Sequence, residues 1–166
     1  MGPEALRVAG LEQTLEEQGV EVVDRGNLGG PGNPCLPPVD GYRHLAEVVA
    51  WNRMVHDAVH VELAAGRLPI LLGGDHSLAI GSIAAVGRHC RETGKRLRVL
   101  WLDAHADFNT SVLTPSGNLH GMPVACLCGH GPRELIEVGG AVPAMSPEAI
   151  RQIGIRSVDL GEKHFV

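Results

Sequence analysis

An α/β fold, a three-layer α-β-α sandwich around a mainly parallel sheet, is predicted by three observations. Short apolar runs of strand length alternate with longer segments of helical period, the pattern of a parallel sheet covered by helices on both faces. Hydrophobic residues make up 44% of the 166 residues and aromatics only 3%, so a core of Val, Leu, Ile and Ala with close helix-to-sheet packing is expected. Polar residues of ligand type collect just past the ends of the strand-like runs, where sheets of this kind bind their ligands.

Pro3 to Gln18 reads as a helix with Leu6, Leu11 and Leu15 on one face, ended by Gly19, and Val20 to Asp24 as a short strand. The segment from Arg25 to Val39 is dense in Gly, Pro and Asn and reads as a surface loop. Asp40 is expected to cap a long helix that reaches about Ala65, with Leu45, Val48, Val49, Trp51, Val55 and Val59 as its apolar set and Gly66 as its stop. A strand over Leu68 to Leu72 follows, then a helix with Ser77 as N-cap that runs to about Thr93 before Gly94. Arg96 to Leu102 is the next strand. Between Ala104 and Met122 no period is evident and polar residues are frequent, which marks a functional loop rather than an idle connection. A short helix over Pro123 to Cys128, a Gly-rich stretch, a helix opened by Ser146-Pro147-Glu148 and a strand of about Ile153 to Ile155 complete the chain, with Arg156 to Glu162 lying just past that strand.

Composition excludes several classes of function. A net charge of -5 without any block of Lys or Arg is the wrong footprint for nucleic acid, which needs clustered positive charge. No apolar run approaches the roughly 20 residues that span a bilayer, and Met1-Gly2-Pro3-Glu4 lacks the basic and apolar regions of a signal peptide. No membrane partner and a cytoplasmic location are therefore expected. The cysteines (Cys35, Cys90, Cys126, Cys128) are too few and too scattered for a disulfide framework. Cys126, Cys128 and His130 lack the spacing of the usual zinc modules and fall in a segment that reads as an apolar helix.

The stretch Trp101-Leu102-Asp103-Ala104-His105-Ala106-Asp107-Phe108-Asn109-Thr110 carries the chemistry. In extended backbone the side-chain period is two, so Asp103, His105 and Asp107 would point one way from a strand end. Two carboxylates and an imidazole suit a hard or borderline divalent ion such as manganese. His76, in Gly73-Gly74-Asp75-His76-Ser77, ends another strand-like run and would join them, and Asp103 is the natural bridge between paired ions. Glycines before a helix can also bind phosphate, but the Gly-Lys-Ser or Gly-Lys-Thr ending of phosphate loops is missing. His56 and His60 share a helix face without the glutamate that metal-protease chemistry requires, and read as helix-surface residues. In Ser116-Gly117-Asn118-Leu119-His120-Gly121, Ser116 and Asn118 are neutral donors suited to a carboxylate, and His120 is an acid and proton carrier for neutral pH.

Three segments resemble the signature segments of arginases, within the ureohydrolase superfamily: Gly73-Gly74-Asp75-His76-Ser77-Leu78-Ala79-Ile80-Gly81-Ser82, Asp103-Ala104-His105-Ala106-Asp107-Phe108-Asn109-Thr110 and Ser116-Gly117-Asn118-Leu119-His120-Gly121-Met122-Pro123. Gly2-Pro3-Glu4-Ala5-Leu6-Arg7 and Gly154-Ile155-Arg156-Ser157-Val158-Asp159-Leu160-Gly161-Glu162 are similar to further arginase segments in the same order, with the bacterial branch the nearer in pattern. The resemblance implies His76, Asp103 and Asp107 on one manganese, and His105 with the bridging Asp103 on a second. A hydroxide between the ions would attack the guanidinium carbon of L-arginine and give L-ornithine and urea, a reaction of arginine metabolism and the urea cycle. His120 would be the proton shuttle or acid toward the leaving amine, and Asp107 counts with it among the catalytic groups. Asn109, Ser116 and Asn118 would hold the α-carboxylate, with Thr114 assisting through water; Asp159 and, through water, Glu162 would hold the α-ammonium. The sister agmatinases act on a substrate without the α-carboxylate, and these donors point instead to an amino acid. A homo-oligomer, trimer or hexamer, is implied as well.

The pattern also departs from the family. A further strand ending in Asp-x-Asp, a later glutamate and a first glycine-rich strand before Pro3 are expected of a ureohydrolase and are not found. Residues 1–166 therefore resemble a single partial ureohydrolase domain, from which weak manganese binding, little activity and exposed apolar surface are expected. Another guanidino-compound hydrolase, or a non-catalytic subunit that keeps the fold, is the alternative reading.

Overall fold

The structure, a computed structural model, describes residues 2–164. Helices α1 (Gly2–Val8), α2 (Leu11–Glu17), α3 (Leu45–Ala64), α4 (Ala79–Glu92), α5 (Pro123–Leu127) and α6 (Arg133–Ile136) surround strands β1 (Val99–Leu102) and β2 (Ile150–Ile153). The strands pair in parallel, Val99 opposite Ile150 and Leu102 opposite Ile153, with α5 and α6 in the crossover that parallel pairing requires. Alternation along β1 sends Trp101 into a core with Ala84 of α4, Val124 and Leu127 of α5, and Met145, while Val99 and Ile150 pack against its edge. The other face is open: Leu100, Leu102 and Ile153 are 69%, 74% and 54% exposed. The α/β class is as expected, and helices cover one face of the sheet among the described residues.

Several elements differ from the sequence reading, each for a physical reason. The first helix breaks in two at Gly10, whose φ of 82° is left-handed and ends the hydrogen-bond ladder. Val20 to Asp24 and Leu68 to Leu72 form no strand among the described residues, and Leu68 and Ile70 are 86% and 59% exposed. Their apolar content is that of strands, but a strand exists only in a pair, and neither run meets a ladder partner. Asp40 does not cap α3; it sits in a turn closed by Val39 and Tyr42, and α3 starts behind His44. Ser77 is not the cap of its helix either. The Asp75 carboxylate accepts the Ser77 N–H at 2.9 Å and opens a 3-10 turn, His76–Leu78, that leads into α4. Ser146-Pro147-Glu148 yields only a 3-10 turn, Pro147–Ala149, so the final strand starts at Ile150 rather than Ile153. His56 is no surface residue: it is 3% exposed, with its ring parallel to that of His60.

The α3–α4 crossing sets where the chemistry-bearing end of α4 lies. Asn52, fully buried, accepts the Gly81 N–H at 2.7 Å through Oδ1 and donates Nδ2 to the Val48 carbonyl at 2.9 Å. A Cβ on Gly81 would stand 2.3 Å from the Asn52 carbonyl oxygen, so only glycine lets the helices approach this closely. Val55, Val59 and Ala85 fill the remainder of the contact. Among the described residues no helix is long and apolar enough to cross a membrane.

Replacing Asn52 with Ala should cost about 1–3 kcal/mol in urea denaturation, since the Gly81 N–H is left buried without an acceptor. Gly81→Ala should cost more, because backbone rather than a flexible side chain must move. Leu100→Lys, on the open face, should stay within about 0.5 kcal/mol of the parent. Equal midpoints for Gly81→Ala and the parent would show that the crossing is not as tight as described.

Candidate metal centre

β1 runs out at Leu102 and hands the chain to Asp103, whose N–H still reaches the Ile153 carbonyl at 3.1 Å. The Asp103 side chain then accepts the His105 N–H at 2.8 Å, bending the chain in an Asx turn. His105 makes a single parallel bridge with Ser157, and Asp107 takes a left-handed φ of 51°. The expected straight comb of alternate ligands is thus a bent one, and its side chains do not all point one way. The Asp107 carbonyl receives the N–H groups of Val124 and Ala125, at 3.0 and 3.4 Å, which ties this unusual backbone to the start of α5.

The bend aims Asp103 and Asp107 at the residue that the Asp75 cap presents. His76 Nδ1 lies 2.8 Å from Asp107 Oδ2 and 3.3 Å from Asp103 Oδ2, and its ring stacks on Trp101 with centroids 4.7 Å apart. Ligand atoms of His76, Asp103 and Asp107 all fall within 4.8 Å of one another. His105 stands at the rim, its side chain 62% exposed and its Nδ1 3.2 Å from the other oxygen of Asp103. Three of the four expected ligands therefore meet directly, and the fourth touches the cluster through Asp103.

The donor set fits a divalent cation. Asp107 is 6% exposed, and its Oδ2 is buried with no partner besides His76 among the described residues. Two carboxylates facing one imidazole leave excess negative charge even when the imidazole is protonated, and an O,O,N set suits manganese rather than a thiolate-seeking ion. The hydrogen bond that His76 donates to Asp107 raises the His76 pKa above its ordinary value, with burial acting against it and the charges of Asp107, Asp103 and Asp75 adding to it. Burial works against the charge on Asp103, but the His105 N–H and the neighbouring His76 outweigh it and hold its pKa below the usual carboxylate range.

Beside the cluster opens a cleft of about 350 Å³ lined by Asn33, Arg43, Asp75, Ser116, Asn118 and His120. His120 Nδ1 is 3.8 Å from Asp75 Oδ2, the carboxylate of the residue that precedes His76. Thr114 Oγ1 accepts the N–H groups of Ser116 and Gly117, and Ser116 Oγ accepts that of Asn118, so these hydroxyls shape their own turn. Asn109 Nδ2 donates to Asp159 Oδ2 at 2.9 Å. Glu162 is 3% exposed, and its two oxygens accept the N–H groups of Phe108 at 2.8 Å and Asp159 at 2.9 Å. It is a clamp that joins the metal loop to the segment carrying Asp159. A larger cleft, about 500 Å³ between Arg53, Arg88 and Arg133, is remote from these groups and its Arg88 and Arg133 are ion-paired to Glu92 and Glu137.

Sequence reasoning missed the Asp75 cap, the Trp101 stack, the Glu162 clamp and Arg43. Asp75 two residues before Ser77 was a readable signal for the cap. The others depend on contacts between residues distant in the chain, for which a single sequence carries no local mark. Burial pushes the Cys126 thiol up to about 12, and burial with the Glu148 charge pushes Cys128 up to about 11, so in the metal-free chain neither is a thiolate at neutral pH.

The model of the arginase family matches residues 1–166. The chain belongs to the arginase family. Over its whole length it is 40% identical to an arginase of Brevibacillus brevis, of which it covers 54%. The crystal structure of Bacillus caldovelox arginase superposes with a TM-score of 0.92 at 41% identity, over 99% of this chain and 55% of that one. An Entamoeba histolytica arginase, solved in complex with L-ornithine, superposes with a TM-score of 0.83 at 36% identity over 98% of this chain and 54% of that one. This arginase-family chain spans about half the length of the curated relatives it matches.

Manganese titration followed by electron paramagnetic resonance should show binding that His76→Asn and Asp107→Asn each reduce strongly and His105→Ala reduces less. Because a ligating imidazole must be neutral and His76 holds its proton to a raised pKa, binding should release a proton and strengthen as pH rises. In metal-free protein the sign is opposite for stability. The contribution of the His76 pair is fully present below the unfolded value of about 6.5 and is lost as pH rises through the raised folded value. A pH-stability curve of metal-free His76→Asn should lack that loss. In a native thiol titration Cys35 should react, while Cys126 and Cys128 stay protected until the protein unfolds.

Proposed function

We propose that this site hydrolyses the guanidinium group of L-arginine to L-ornithine and urea, with manganese held by His76, Asp103 and Asp107 and with His105 joining through Asp103. The observation that carries the reading is one juxtaposition: Asp75, the chain neighbour of the cluster residue His76, lines a cleft that Asn118 and Ser116 also line. A guanidinium carbon is a poor electrophile and water a poor nucleophile, and the bound manganese supplies the Lewis acidity that makes hydroxide available near neutral pH. The residues of the chain do the rest. Ser116 and Asn118 hold the α-carboxylate, while Thr114 keeps their turn in shape. Asp159, with Oδ2 fixed by Asn109, offers Oδ1 to the α-ammonium, and Glu162 holds the Asp159 backbone in place. His120, exposed at the cleft mouth and beside Asp75, delivers the proton that the departing ornithine amine takes up.

Supporting the choice of an amino acid is the family match together with the L-ornithine in the Entamoeba histolytica relative. Ser116 and Asn118 would go unused by a substrate that lacks the carboxylate. A family-type homo-oligomer and a cytoplasmic setting belong to the same proposal, as does the view of residues 1–166 as one partial ureohydrolase domain.

Because His105 stands at the rim, the 166-residue chain is expected to need high manganese and to release urea near the background rate. Calorimetry of the manganese-saturated chain should nonetheless show L-arginine bound at least tenfold tighter than agmatine, which is about 1.4 kcal/mol. Asp159→Ala should weaken L-arginine by a similar factor. Equal affinity for the two ligands, with indifference to Asp159→Ala, would replace L-arginine by another guanidino compound. No binding of either ligand would leave a non-catalytic subunit as the better reading.

A further inference from the structure

Arg43 belongs to none of the segments that carry the family signature, yet it holds the loop that presents Ser116 and Asn118. Its backbone N–H donates to the Gly117 carbonyl at 2.8 Å and its Nε to the Ser116 carbonyl at 3.0 Å. The turn before it fits against the same loop. Val39 and Tyr42 close that turn by exchanging hydrogen bonds at 2.8 and 2.9 Å. A Cβ on Gly41, which has a φ of +80°, would stand 2.8 Å from the Ser111 carbonyl oxygen, and one on Gly117, at +75°, would stand 3.1 Å from the Gly41 carbonyl oxygen. Neither contact leaves room for the loop to shift. The Arg43 side chain also lines the cleft that Ser116, Asn118 and His120 line, and among the described residues no carboxylate pairs with it.

We propose that Arg43 is the residue that makes this cleft select guanidino acids over guanidino amines, by fixing the turn of Ser116 and Asn118 and by standing as an unpaired cation on the wall where the carboxylate lies. The inference rests on the arginine reading and deepens it. A ligand of this site carries a cation at the end that reaches the Asp75, Asp103 and Asp107 side. Its other end decides the outcome: a carboxylate is attracted by Arg43 and received by a preformed pair of donors, whereas a lone ammonium is repelled. Two hydrogen bonds to loop carbonyls mean that the donors are ordered before the ligand arrives, so less of the binding free energy is lost to ordering.

The test compares L-ornithine with putrescine, which differ only in the carboxylate, on the manganese-saturated chain by calorimetry. Amide exchange at Gly117 and Asn118 is followed in the same samples. In the parent, L-ornithine should be preferred. Arg43→Gln should reduce that preference about tenfold, mainly through L-ornithine, and speed exchange at both amides. Arg43→Lys keeps the charge and loses the planar donor, so it should retain most of the preference while exchange still rises. A parent that prefers L-ornithine and an Arg43→Gln variant that keeps the same preference would overturn the role of Arg43 and leave the arginine reading standing. An equal loss for both ligands in Arg43→Gln would also overturn it, since a merely structural role predicts that result. A folded, manganese-saturated parent that binds neither ligand would overturn the arginine reading, and the selectivity with it.

Discussion

Two carboxylates and one imidazole converge where β1 ends, and the surrounding structure is arranged so that they can. His76 Nδ1 sits 2.8 Å from Asp107 and 3.3 Å from Asp103, a concentration of negative charge that only a cation can offset. Each arm of the cluster has its own support. Asp103 follows directly from the β1–β2 ladder, Asp107 is held by the first amides of α5, and His76 is turned inward by the Asp75 cap and braced by Trp101. The position of the cap depends in turn on the α3–α4 crossing, where Asn52 and Gly81 permit backbone contact. A distortion at that crossing would therefore be felt at the site, through α4 and its leading turn.

Much of this was legible in the chain, and the failures have a common cause. Asp103, His76 and Asp107 were readable because ligand-type residues followed apolar runs of strand length. The bend between them was not, since the φ of Asp107 and the Asx turn at Asp103 are set by hydrogen bonds to α5 and to His105. Leu68 to Leu72 has the composition of a buried strand, yet strand identity needs a neighbour that composition cannot name. Asn52 and His56 looked like ordinary members of a long helix, because burial of a polar side chain follows from which helix crosses over it. Glu162 matched a family segment, and its two backbone hydrogen bonds show a mechanical task that the resemblance did not contain.

The open face of the sheet has a cost that can be placed on the same scale. Fully burying a Leu or Ile side chain stabilises by roughly 1.5–3 kcal/mol, and Leu100, Leu102 and Ile153 forgo most of that here. The site does not share this weakness. Its loops are tied by Glu162, by Arg43 and by the amides of α5.

Diffraction from crystals soaked in manganese, collected at the manganese absorption edge, tests the cluster most directly. An anomalous peak bonded to His76, Asp103 and Asp107, and lost in Asp107→Asn crystals, is the expected result. A peak elsewhere, or none at saturating manganese in well-ordered crystals, would contradict the account.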